Sequence, residues 1–306
     1  MVELDNINLY IITHGRPRKE QRPTTDFLDA SGLKYYFVMN EKQVEDYVAN
    51  GVDRDRIVIS TDEYEEAYFK EHKTIDVDFH GAICNREMCS IHARSQGKKY
   101  AMQFDDNIVS FSIGKVSTTK GTKDLYAEKY LPKCIQQMID IMESTNVGFL
   151  GMNLQAVPIT DKSIIRTGYA YSCFIENVTA NIHWRGPFDD DVLHNLDFNT
   201  SGKYTNGIMA VYGYGKESSS NTGMRKKYSE YVIQRAMGTS NLYPDYVGVG
   251  IRPKANGLGK RIYHSFKKNM NHNIRVKDAE AFTKVLNDIK NTVTEWRKEA
   301  KWDMIM

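Results

Sequence analysis

Three short apolar runs, at 8–13, 35–39 and 56–60, punctuate the first sixty residues and are separated by segments with helix signals. Pro23 stands at the front of a helix expected over 23–30, where its missing N–H costs nothing, and a second helix is expected over 41–49. Strands that alternate with helices pair mainly in parallel, because each helix carries the chain back to the same end of the sheet. The next unit repeats the pattern. Ile83, Cys84, Met88 and Ile91 recur at helical spacing over 81–96, and Gly97 closes that helix as a C-terminal cap. The strand that follows, Lys98-Lys99-Tyr100-Ala101-Met102-Gln103-Phe104, runs straight into Asp105-Asp106-Asn107. The expected class is therefore α/β, with a mainly parallel, Rossmann-like sheet. In open sheets of this kind, ligands bind just past the carboxyl ends of the strands.

The second half has a different texture. A helix is expected over 124–144, with Tyr130, Leu131, Ile135, Met138 and Met142 on one face, and a strand over 147–152. Strands at 169–175 and 208–214 follow without regular helical crossovers, which suggests a mixed portion of sheet. Phe282, Val285, Leu286, Ile289, Val293 and Trp296 form the apolar stripe of a helix over 278–302.

Bulk properties narrow the class further. No run approaches the ~20 apolar residues needed to span a bilayer, and the acidic start, Met1-Val2-Glu3-Leu4-Asp5, has no signal-peptide core. A cytoplasmic protein is expected, in the host cytoplasm if the source is viral. Cys84, Cys89, Cys134 and Cys173 lack Cys-x-x-Cys spacing and read as reduced, buried thiols. The net charge of +2 excludes a polycation. Residues 252–301, however, hold 13 Lys/Arg against 5 Asp/Glu, a local +8 that suits either a phosphate-facing surface or a solvated helix face.

Five segments carry candidate chemistry. Asp105, Asp106 and Asn107 offer hard oxygen ligands for Mg²⁺ or Mn²⁺, although the same residues suit a surface turn. The turn Thr13-His14-Gly15-Arg16-Pro17-Arg18 lets backbone approach a ligand at Gly15 and brings Arg16 to a phosphate. Asp189-Asp190-Asp191 crowd three carboxylates, which raises the pKa of one of them and makes it a candidate base; a helix N-terminus favours Asp at the same place. Ser218 to Tyr228 combines a polar loop with Arg225, Lys226 and Lys227. Lys254 to His264 brings Gly257 and Gly259 together with Lys260, Arg261 and His264, at a spacing unlike a Walker P-loop.

Asn85-Arg86, Ala93, Gly97 and Phe104-Asp105-Asp106-Asn107, together with the opening Ile12-Thr13-His14-Gly15-Arg16-Pro17, resemble glycosyltransferases of the GT-A fold. The resemblance implies a nucleotide-sugar donor, with Thr13, Arg16 and Arg86 at the nucleotide. It implies a divalent cation on Asp105, Asp106 and Asn107, with Asn107 standing where the family has its second acid and His264 completing the shell. His183-Trp184-Arg185-Gly186-Pro187-Phe188-Asp189-Asp190-Asp191-Val192-Leu193 resembles the family's second acidic motif. It implies Asp190, then Asp191, as the base of an inverting transfer. The implied organisation is a catalytic domain over 1–270, with a nucleotide-sugar half at about 1–150 and an acceptor half at about 151–270. The helix of 271–306 packs on it.

The Gly-Met loop and the basic C-terminal segment resemble phage-type DNA-base glycosyltransferases, associated with oxidised pyrimidines. That likeness implies 5-hydroxymethylcytosine in DNA as acceptor; Arg225, Lys260 and Arg261 suit its phosphates and Tyr263 and Phe266 a flipped-out base, while the same residues suit the donor diphosphate equally. Three other readings stay open on the residues: a glycan, lipid or protein acceptor; a nucleotidyltransferase; and a non-catalytic nucleic-acid-binding protein with a degenerate sugar-transferase fold.

Overall fold

The computed structural model describes residues 4–113, 127–155, 163–217, 227, 229–253, 260–266 and 273–299, and the side chains of 127, 128, 261 and 266 are not among those described. The strand–helix alternation forms as expected. Strand β1 (Ile7–Ile12) is followed by α1 (Thr24–Ala30), β2 (Tyr36–Asn40), α2 (Val44–Ala49), β3 (Ile57–Ser60), α3 (Asp62–His72), α4 (Ile83–Ser95) and β4 (Tyr100–Asp105). β1 is buried along its whole length. A strand covered on both faces reads as a continuous apolar run rather than an alternation.

The rest of the chain completes the same sheet. It comprises β5 (Ile108–Ile113), α5 (Ala127–Ser144), β6 (Val147–Leu154), β7 (Ile165–Arg166), β8 (Cys173–Asn177), α6 (Asp190–Thr200), β9 (Thr205–Lys216), α7 (Val232–Leu242), β10 (Val247–Pro253), β11 (Lys260–Phe266) and α8 (Ala279–Glu299). The strand order is β3-β2-β1-β4-β8-β6-β9-β5, with β7 pairing β9 off this path, and β10-β11 form a separate two-stranded sheet. β1 to β4 are parallel, β8 runs against both β4 and β6, and β9 is parallel to β6. The carboxyl ends of β1–β4 and of β9 therefore open on the same edge.

β5 decides the geometry of that edge. It leaves the end of β4 through the two residues Asp106 and Asn107, then pairs with β9 on the far side of the sheet, with Ile108 opposite Lys216. The strands of the expected nucleotide and acceptor halves thus interleave in one sheet. The strand expected over 169–175 begins only at Cys173; Ser172, just before it, has a positive φ of 47°. α5 and α8 close one face around a core containing Ile135, Met138, Val285, Ile289 and Trp296, and Gln137 Nε2 donates to Thr292 Oγ1 between them at 3.0 Å. All four cysteines are buried and unpaired. Among the described residues no helix is long and apolar enough to cross a membrane.

Candidate active site

A cleft of about 1180 Å³ lies along the carboxyl edge of the sheet. Thr13, Arg16, Arg86, Asp105, Asp106, Asn107, Asp190, Asp191 and His264 all line it. Residues as far apart in the chain as Thr13 and His264 are thus brought to one place. Arg225 lies outside the described residues, as does the side chain of Arg261. Lys260 begins β11, is exposed, and is not among the residues that line the cleft.

Arg86 is the centre of the cleft floor. It projects from α4 and is buried, with its guanidinium 5.3 Å from the ring centre of Phe174 and 5.1 Å from that of Trp184. Its Nε donates to Asp190 Oδ2 at 2.5 Å and its Nη2 to Asp105 Oδ1 at 3.3 Å. A planar fork of donors suits this bridging task, which a lysine cannot copy. The other Asp105 oxygen is paired with the ammonium of Lys216. Burial works against charge on Asp105, yet Lys216 and Arg86 together hold it well below the usual carboxylate range.

The neighbouring carboxylates differ. Asp106 turns towards β1: one oxygen pairs with Arg16 and the other accepts from Thr13 Oγ1 at 2.8 Å. Burial pushes its pKa up to about 6 against the pull of Arg16 and Thr13. Asp189 adopts a left-handed backbone, φ 51°, and is clasped by Arg235, whose Nη2 donates at 2.6 Å. Asp190 and Asp191 occupy the first turn of α6, where the helix dipole favours negative charge. Asp191 nonetheless has a pKa pushed up to about 7, first by burial and then by Asp190 beside it. One carboxylate is thus kept ionised at Asp105 and another kept near neutrality at Asp191.

The wall formed by β1–β3 is polar. Gln43 accepts from Gly15 N at 2.8 Å and meets His14 at 2.6 Å. Tyr47 OH accepts from Arg16 N at 3.0 Å. Glu65, from α3, pairs with His80 at 3.1 Å. Beneath Arg86, the buried Glu176 accepts from Trp184 Nε1 at 3.1 Å and Gln103 Nε2 at 2.9 Å, and pairs with His194 Nε2 at 2.9 Å.

Two expected cation ligands, His264 and Asp106, are engaged by protein partners. His264 lines the cleft, but its Nε2 is 2.9 Å from the Arg235 carbonyl and its Nδ1 3.5 Å from Asp189, so it belongs to the Asp189 cluster. Asp106 has both oxygens committed to Arg16 and Thr13. Among the described residues no group of three or more His, Cys, Asp or Glu side chains is placed to hold a metal ion. Asp105 and Asn107 also offer hard oxygens: the Asp105 carboxylate is itself paired, with Arg86 and Lys216, and Asn107 Oδ1 is buried with no hydrogen-bond partner among the described residues. That set fits a cation completed by the oxygens of a bound diphosphate, the usual arrangement for Mg²⁺.

Lys216, Arg235, Glu65 and His80 were not singled out from the sequence. The strand-end rule that marks Asp105 also marks Lys216, the last residue of β9, once β9 is known to run parallel to β4.

Gly81 supports the acidic segment from behind. Its φ is +63°, and a Cβ there would stand 2.5 Å from the carbonyl oxygen of Pro187. The left-handed conformation alone costs an L-residue ~1–2 kcal/mol, and the clash with backbone adds to it. Gly81→Ala is expected to lose about 2–4 kcal/mol in urea unfolding. A loss under 0.5 kcal/mol would mean that the segment leading to Asp189 is not fixed by this contact.

The family model for TET-associated glycosyltransferases matches residues 7–224. Among solved structures, the chain is similar to glucosyl-3-phosphoglycerate synthase from Mycobacterium tuberculosis. In complex with Mg²⁺ and UDP, that protein shows 8% identity over 85% of this chain and 86% of its own, with a TM-score of 0.44. In complex with Mn²⁺, UDP and phosphoglyceric acid the values are 7%, 88%, 89% and 0.41. A mycobacterial protein is similar at 9% identity over 85% of this chain and 83% of its own, with a TM-score of 0.43. These structural likenesses are loose. No curated protein matches the chain. The family match spans β1 to β9 and with them the whole floor of the cleft, and on that match the chain belongs to the TET-associated glycosyltransferase family.

Proposed function

We propose that this glycosyltransferase takes a sugar from a nucleotide-sugar and places it on the hydroxymethyl group of a pyrimidine in DNA, with 5-hydroxymethylcytosine as the preferred acceptor. The observation that carries the chemistry is the divergence of two carboxylates in one cleft, Asp105 held ionised and Asp191 held near neutrality. Groups whose environments push their pKa values apart divide acid–base roles between them.

In this reading the nucleoside lies along the β1–β3 wall, with Thr13, Arg16 and Gln43 beside it, and the diphosphate reaches Asp105. A divalent cation, when bound through Asp105 and Asn107 Oδ1, supplies neutralisation of the leaving diphosphate. Arg86 anchors Asp190 and Asp105, which fixes the start of α6 relative to the donor. Asp191 accepts the proton of the acceptor hydroxyl. The acceptor oxygen then bonds to the anomeric carbon as the bond from that carbon to the diphosphate breaks, and the configuration inverts. The freed electron pair rests on the diphosphate.

Sequence resemblance puts Asp190 ahead of Asp191 as base. The Arg86 ion pair favours the reverse order, because Asp190 is committed to a structural cation. Support for DNA comes from the resemblance to DNA-base glycosyltransferases and from the family's association with TET. Arg252, an exposed residue of β10 that lines the cleft, suits a phosphate backbone.

The donor half is tested by calorimetric titration of UDP and GDP with Mn²⁺ or Mg²⁺. Binding of one diphosphate in the micromolar range that requires the cation is expected. No binding of either nucleotide, with or without cation, would remove the donor assignment.

A further inference from the structure

Lys216 has no assigned part in the reaction, yet it is the best-placed flexible cation in the cleft. Its ammonium pairs with Asp105 Oδ2 and donates to Ser172 Oγ at 2.8 Å. Its backbone is fixed to the turn that carries the acids. Lys216 is opposite Ile108 in the β5–β9 ladder, Glu217 N donates to Asn107 O at 3.1 Å, and Asn107 Nδ2 donates to Glu217 O at 3.0 Å. The root of the side chain is therefore held, and its four-carbon stem carries the ammonium on rotatable bonds.

Both oxygens of Asp105 are already engaged by protein cations, Oδ1 by Arg86 and Oδ2 by Lys216. A divalent cation cannot join that carboxylate while both stay, since like charges a few ångströms apart repel strongly in a partly buried site. Arg86 is not the one to leave: its side chain is 6% exposed and is bound to Asp190 and Gln103. The Lys216 side chain is 30% exposed and lines the cleft.

We infer that Lys216 is a ligand of the donor diphosphate, held on Asp105 in the free enzyme and exchanged onto the phosphates when a cation-bearing donor arrives. The inference rests on the reading above, in which Asp105 meets the donor's cation. No covalent bond changes; one ion pair is traded for another. Lys216 therefore couples two ligands. It competes with the cation for Asp105 when no donor is present and assists the cation-bound donor when one is, so donor and cation strengthen each other's binding.

The test is Mn²⁺ binding followed by the loss of the free-ion electron paramagnetic resonance signal, with and without UDP. Lys216→Met is expected to bind Mn²⁺ alone roughly 5–10-fold more tightly than the parent, and to gain less from added UDP. Lys216→Arg, which keeps the charge, should stay near the parent. Lys216→Gln, which keeps a donor for Ser172, gives the same readout if the methionine variant folds poorly. An unchanged or weaker Mn²⁺ affinity without UDP in both neutral variants overturns the exchange while the donor reading stands. A parent protein that binds no Mn²⁺ even with UDP overturns both.

Discussion

Asp191→Asn is expected to keep donor binding, to lose sugar transfer by about 10³-fold, and to unfold at a higher temperature than the parent. A positioned general base contributes about 10²–10⁴-fold to proton transfer, and Asn keeps the shape of Asp without accepting the proton. Its Oδ1 can still accept from Val192 N, the contact Asp191 makes at 2.8 Å. The stability gain follows from the same pKa that suits catalysis. Burial, then Asp190, raise the folded-state pKa of Asp191 to about 7, well above the ordinary carboxylate value. Asp189 and Asp105 push in the same direction and Arg86 against it; Tyr171, from the segment before β8, feels the Asp191 charge in turn.

An acid whose pKa is raised on folding loses stability as pH climbs from the unfolded pKa to the folded one. Asp191 therefore costs nothing near pH 3 and its full penalty above pH 7. Removing it should stabilise the protein by about 1–3 kcal/mol at pH 8 and by little at pH 4. The parent's transfer rate should rise with pH around a midpoint near 7 as Asp191 ionises. A variant that transfers sugar normally, or is less stable at pH 8, would take the base role from Asp191. Asp190→Asn separates the two residues: it breaks the Arg86 ion pair, so rate and stability should fall together.

Arg86→Met is expected to be the most damaging single change in the cleft. It removes the cation shared by Asp190 and Asp105 and leaves the two carboxylates without that bridge. Breaking a buried pair from one side costs ~3–5 kcal/mol. Loss of the donor–acceptor alignment should lower kcat/KM by about 10³-fold, since reacting groups tolerate little displacement. Arg86→Lys keeps the charge but not the fork, so it should recover much of the stability and little of the rate. Urea unfolding and steady-state kinetics on the pair separate these effects. Equal rates for the lysine variant and the parent would show that charge alone, without the bridge, is enough.

The parts of this architecture visible in the sequence are those built from local periodicity. β1 to β4 and the helices between them carry apolar runs and caps, and α8 carries a long stripe. Other elements were concealed by their chemistry. α6 buries Val192, Leu193, Leu196 and Phe198 but sets His194, Asn195 and Asn199 among them, and Asn195 and Asn199 both reach Asn206, so its apolar period is interrupted by buried polar residues. α3 is rich in Asp and Glu and packs through Tyr64, Tyr68 and Phe69. The site divides in the same way. Asp105 and Asp189–Asp191 are legible because acids cluster where a strand ends or a helix begins. The partnerships of Arg86 with Asp190, Asp105 with Lys216, and His264 with Asp189 depend on sheet order and on a hairpin far along the chain. Strand-end logic found the first carboxylate; only the β5–β9 pairing brings Lys216 to it.

The reaction proposed for this cleft is transfer of a sugar onto a hydroxymethylated base. The most direct measurement is mass spectrometry of nucleosides digested from 5-hydroxymethylcytosine DNA after incubation with UDP- and GDP-sugars and Mn²⁺. The expected result is a hexose- or pentose-sized mass gain on hydroxymethylcytidine alone, absent from unmodified DNA and lost in Asp191→Asn. Release of nucleoside diphosphate with no gain on any nucleoside would contradict the DNA acceptor and leave a glycosyltransferase of other acceptors. Neither gain nor release with any donor would contradict the proposed sugar transfer altogether.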